Sequence, residues 1–168
     1  MNLDDLIGAS PRGVARFLEH AVELGYKPIV IEKGAESNCG WTIAYGVGQL
    51  TYMLVYDVEA GTRRYPTKNA VRQETGLKGR FDLLKLREQG LANMFPEMRA
   101  GDITPFLSES FDTENLHVTI DLAGVIENKP VKFPANSRYF AMTLFEVFQT
   151  LRSLYGKDGV NIKYLFKD

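Results

Sequence analysis

The sequence predicts an α+β fold: a mainly antiparallel sheet built on a central hairpin, with helices packed on one face. Three observations carry this. Trp41 to Glu59 alternates twice about a Gly-X pair, Leu116 to Ala123 alternates again, and Ser137 to Tyr155 is an apolar run of helical length. Hairpins dominate, and no regular strand–helix–strand alternation appears, so the sheet is expected to pair mostly antiparallel.

The hairpin comes first because it fixes its own register. Trp41, Ile43, Tyr45 and Val47 point one way, and Leu50, Tyr52, Leu54, Tyr56 and Val58 form a second apolar row. A period of two marks a strand with one buried face. Gly48-Gln49 between the rows suits a type II′ turn. Pairing Val47 with Leu50 sets Tyr45 against Tyr52, Ile43 against Leu54 and Trp41 against Tyr56, with both rows on one side. A slip of one residue would put one row in water. The apolar row is expected to face the helices, with Met53 and Val55 partly covered behind it.

The other elements follow in order. Ser10-Pro11 starts a helix, with a hydroxyl at the cap and proline in the first turn. Val14, Phe17, Leu18, Ala21 and Leu24 give its stripe, His20 falls on its wet side, and Gly25 ends it. Pro28 to Glu32 reads as a short strand, and Gly34 to Gly40 as a loop. Thr62 to Tyr65 suggests a third strand, followed by helices over Lys68–Thr75 and Arg80–Gln89. Leu91 to Asn115 reads as a long irregular loop. Leu116, Val118, Ile120 and Leu122 make a strand, and Glu127-Asn128-Lys129 turns into a shorter one at Pro130–Phe133. Asn136 is expected to cap the apolar helix, Gly156 to close it, and Val160 to Phe166 to form the last strand.

Composition limits the function classes. At 168 residues the chain is read as one domain, 1–168, able to bury a core without staples. Its formal charge of −1 gives no global pull toward polyanions or membranes. One cysteine, Cys39, excludes an internal disulfide and fits a reducing, cytoplasmic setting. The opening MNLDDL lacks the apolar run of a secretory signal, and Tyr139 to Phe148 is too short to span a bilayer.

Charge is uneven within that balance. Arg63, Arg64, Lys68, Arg72, Lys78, Arg80, Lys85 and Arg87 stand against Glu74, Asp82 and Glu88, eight minus three, or +5. Clustered guanidinium groups on short helices grip phosphates. The ordinary reading of such a run is a solvated face, neutralised here by Met98–Glu127, where Arg99 stands against six acids for −5. Trp41, Tyr45, Tyr52 and Tyr56 have the look of a base-stacking platform, but the same pattern packs sheets on helices, and the core reading is preferred.

Catalytic signatures are sparse. RQETGL, Arg72 to Leu77, looks like the tail of a Nudix box but has one carboxylate where that metal chemistry needs a pair. Gly46 and Gly48 sit in a hairpin, not between a strand and a helix, so they are no dinucleotide loop. Two histidines and one cysteine are too few for a zinc site of those ligands. Cys39, His117 and Asp121 make the only imaginable triad, and His117 and Asp121 lie about 13 Å apart along one strand.

The reading that follows is a non-catalytic binding protein, with no cofactor and no metal. It engages an anionic partner, most plausibly nucleic acid, through Arg63 to Arg87. One alternative is an adaptor or inhibitor working by protein–protein contact through the acidic Asp102–Glu114 stretch or a self-associating sheet edge. Another is a Mg²⁺-dependent nuclease using Asp121 and the Glu127-x-Lys129 triplet.

Overall fold

The computed structural model describes residues 1–32, 38–47, 50–57, 59–60, 116–135 and 138–165. The expected strand at Thr62–Tyr65, the helices at Lys68–Thr75 and Arg80–Gln89, the loop Leu91–Asn115, the Gly48-Gln49 turn and the Asn136 cap lie outside these residues.

In chain order the described elements are α1 (Leu3–Ala9), α2 (Arg12–Glu23), β1 (Ile29–Ile31), β2 (Asn38–Val47), β3 (Leu50–Asp57), β4 (Leu116–Asp121), α3 (Leu122–Glu127), β5 (Val131–Pro134), β6 (Tyr139–Met142), α4 (Leu144–Tyr155) and β7 (Val160–Lys163). Helices and strands are both present, as an α+β chain requires. The strands run in the order β1-β6-β5-β2-β3-β4-β7. β2 serves two halves of this array. Its start, Asn38-Cys39, pairs parallel with Val131-Lys132 of β5, and Gly40–Val47 pairs antiparallel with β3. There Val47 meets Leu50 and Trp41 meets Tyr56, the register that the alternation specifies.

The array is mixed rather than mainly antiparallel. β2–β5, β3–β4 and β4–β7 are parallel, while β1–β6, β5–β6 and β2–β3 are antiparallel. Strands that pair in parallel cannot be joined by a tight turn, so nearness in sequence misleads here. β4 is followed by α3 rather than by a hairpin partner, and β7 reaches β4 only after α4.

The helices differ from expectation at their boundaries. α1 begins in a capping box: Asp5 N–H donates to Asn2 Oδ1 at 2.8 Å, and Asn2 N–H donates to Asp5 Oδ2 at 3.4 Å. Ser10 does not cap α2. Its hydroxyl donates back to Leu6 O at 2.6 Å, and Pro11 takes the cap position. α4 starts at Leu144, not Ser137, because Thr143 and Glu146 form a capping box there. The preceding YFAM is strand β6, since a short apolar run has no period that separates helix from strand. α3 occupies what was read as the end of a strand and a turn, and Asn128, at φ +53°, ends it in the left-handed region.

The core joins every second residue of the strands to the helices. Met53 and Val55 of β3, Val118 and Ile120 of β4, and Phe133 and Phe140 of β5 and β6 cluster with Val14, Phe17, Leu144 and Leu151. The helix-facing row of β3 is therefore Met53/Val55, not Leu54/Tyr56. Leu54 and Tyr56 project the other way and are buried too, at 1% and 2% exposure. β3 lies between β2 and β4, and both of its faces are apolar from Met53 to Tyr56.

Candidate nucleic-acid interface

The cations Arg63, Arg64, Lys68, Arg72, Lys78, Arg80, Lys85 and Arg87 lie outside the described residues. What is described is their frame. The basic segment falls in the sequence between Asp57, which ends β3, and Leu116, which begins β4. Those two strands pair side by side, from Thr51 with Leu116 to Val55 with Ile120.

The ends of these strands carry buried acids. Asp57 accepts from Glu59 N–H at 3.0 Å, and its carbonyl accepts from Ala60 N–H at 3.2 Å, which builds the turn leaving β3. Asp121 accepts from Leu165 N–H at 3.2 Å and aligns with Lys163 across the β4–β7 ladder. Asp121 is buried, because the face it shares with Thr119, opposite Val118 and Ile120, is covered too. Glu127 is exposed at the far end of α3, a whole helix away. Among the described residues no three His, Cys, Asp or Glu side chains gather as metal ligands. Cys39 sits at the start of β2 while His117 and Asp121 share β4, with β3 in between, so that triad is not assembled.

One constellation that sequence reading missed does carry the bonding order of a hydrolase. Ser153 Oγ lies 2.7 Å from His20 Nε2, and His20 Nδ1 lies 3.2 Å from Glu23 Oε2. His20 was placed in solvent, yet its side chain is only 23% exposed, held between α2 and α4. Ser153 is inside helix α4, where its backbone N–H serves the helical ladder. A nucleophile needs donors aimed at the developing oxyanion, and a mid-helix serine brings none of its own. The group ties the two helices together.

The open face of the β1-β6-β5 strands is the second missed feature. Ile31 opposes Tyr139, Ile29 opposes Ala141, and Lys132 and Pro134 oppose Ala141 and Tyr139 from the other side. Residues directly opposed across a ladder share a face. Phe133, Phe140 and Val131 fill the inner side. On the outer side Ile29 is 50% exposed and Tyr139 is 41% exposed. The Lys132 Nζ lies 5.1 Å from the Tyr139 ring centroid. Among the residues whose burial is described, Tyr139 is an exposed aromatic of these strands, while Tyr56, from the row that resembled a stacking platform, is buried.

No known protein-family model matches the chain, and no curated protein sequence matches it. Among the described residues no helix is long and apolar enough to cross a membrane.

Proposed function

We propose that the protein binds an anionic partner, nucleic acid, through Arg63, Arg64, Lys68, Arg72, Lys78, Arg80, Lys85 and Arg87, and performs no chemistry on it. The observation that carries the reading is the concentration of +5 in one segment of a chain whose total is −1. Phosphate contacts of this kind release counterions, so affinity falls steeply with salt. The lone Cys39 supports a reducing, cytoplasmic site of action.

A mobility-shift assay across a salt series tests this. Binding at low salt is expected, weakening as salt rises. Replacing Arg63, Arg64 and Arg72 by Ala is expected to flatten the salt slope by about 0.9 per duplex phosphate contact removed. No retention of either strand form at low salt overturns the proposal.

A further inference from the structure

The outer face of β1-β6-β5 combines an exposed aromatic ring, an ammonium beside it, and apolar neighbours. Tyr139 is the ring, Lys132 the ammonium, and Ile29 and Ile31 extend the apolar floor. Ala141 lies between Ile29 and Lys132 in the ladder and is 1% exposed, so the accessible part of the face is at Tyr139 and Ile29. The described residues within two positions of these strands add exposed Lys27, Lys129 and Arg138 against the single acid Glu32. Lys27 and Lys129 flank one end of the strands, and Arg138, at the other end, donates to Met1 Sδ at 3.1 Å. The face is therefore cationic around an aromatic and apolar centre.

We propose that this face is a binding surface for single-stranded nucleic acid, with a base stacked on Tyr139 and the adjoining phosphates paired with Lys132 and the rim cations. The inference rests on the reading above and sharpens it, since it names the strand form. Charge complementarity selects the occupant. A polyanion satisfies Lys27, Lys129 and Lys132, and only a strand with unstacked bases also offers a flat apolar group to the tyrosine. A duplex keeps its bases inside and presents phosphates alone, so it gains from the cations but not from the ring. Lys132 Nζ lies 5.1 Å from the ring centroid, which sets an ammonium within reach of a phosphate beside Tyr139.

The test uses the full chain and fluorescence anisotropy with a labelled oligothymidylate and a duplex of equal length. The single strand is expected to bind more tightly than the duplex. Tyr139→Ala is expected to weaken single-strand binding about tenfold and leave duplex binding unchanged. Tyr139→Phe keeps the stacking surface and should retain wild-type affinity. Lys132→Gln should lower the single-strand salt slope by about 0.7. An oligonucleotide carrying 5-bromouracil, irradiated and mapped by mass spectrometry, should crosslink to the peptide containing Tyr139. Unchanged single-strand affinity in Tyr139→Ala, or crosslinks confined to residues 61–115, overturns the stacking surface while leaving the basic segment standing. Absence of all nucleic-acid binding overturns both.

Discussion

Strands β6 and β3 are both apolar in sequence, and they use that apolarity differently. In β6, Phe140 is fully buried against Phe17 and Phe133, with ring centroids 6.2 and 5.9 Å away, while its neighbour Tyr139 is 41% exposed. In β3, four consecutive residues from Met53 to Tyr56 are buried. β6 has one exposed outer position, Tyr139, although Ala141 on the same face is 1% exposed, and β3 has none from Met53 to Tyr56. A run of large side chains thus carries no information about how many faces are covered. Position in the sheet decides that, and position depends on partners distant in sequence.

The largest expected effect contrasts the two residues of β6. Phe140→Ala empties the centre of an aromatic group and is expected to cost about 3–5 kcal/mol. Tyr139→Ala, one position away, is expected to stay within about 0.5–1 kcal/mol. Urea denaturation of both variants checks this. Equal losses would mean that the outer face is covered and would erase the contrast.

The matching experiment on β3 should give the opposite outcome. Leu54→Ala and Val55→Ala point to opposite faces and are both buried, so both are expected to destabilise, by about 2–4 and 1–3 kcal/mol. If one of them proved neutral, β3 would resemble β6.

Gly124 sharpens the same point at the join of α3 and the core. A Cβ there would lie 2.5 Å from Leu144 Cδ1 and 3.3 Å from Asp57 Cβ. Alanine is the better helix former by about 1 kcal/mol. Overpacking a filled core costs about 1–3 kcal/mol. Leu144 is fully buried and has little room to yield, so Gly124→Ala is expected to lose about 1 kcal/mol net, measured by thermal unfolding. A gain in stability would show that the α3 contact is loose.

These contrasts also explain what the sequence made legible. The β2–β3 register could be read because alternation and turn spacing agreed over Trp41–Tyr56. The stripe of α2 could be read because Val14, Phe17, Leu18 and Ala21 repeat at helical spacing and are all buried. β6 was hidden because Tyr139–Met142 is four apolar residues running directly into a helix. The Thr143-x-x-Glu146 capping signature is the boundary that divides them. Asn2-x-x-Asp5 likewise announced α1. The parallel pairings had no local signal, because hydrogen bonding between Thr51 and Leu116 depends on a partner that no window of sequence contains. The same limit hid the Tyr139 face, which joins Ile29 and Ile31 of β1, Lys132 of β5 and Tyr139 of β6. It hid the Ser153–His20 contact as well, which joins residues 133 positions apart.

That last contact carries the smallest expected effect. If it ties α2 to α4, removing either partner should cost about 0.5–1.5 kcal/mol, the usual net worth of one hydrogen bond. The core beneath it, with Phe17 and Leu18 of α2 against Val147 and Leu151 of α4, already holds the helices together. His20→Ala and Ser153→Ala should therefore be individually mild and jointly less than additive, with a coupling of about 0.5–1 kcal/mol in a double-mutant cycle. Strict additivity would show that the hydroxyl and the ring are neighbours without a bond. Glu23 tests the geometry further. Its carboxylate is 73% exposed, so Glu23→Gln is expected to change stability by no more than about 0.5 kcal/mol. A larger loss there than at Ser153 would shift the tie from the helix–helix bond to the pair within α2, and the seam between the helices would then rest on its apolar contacts alone.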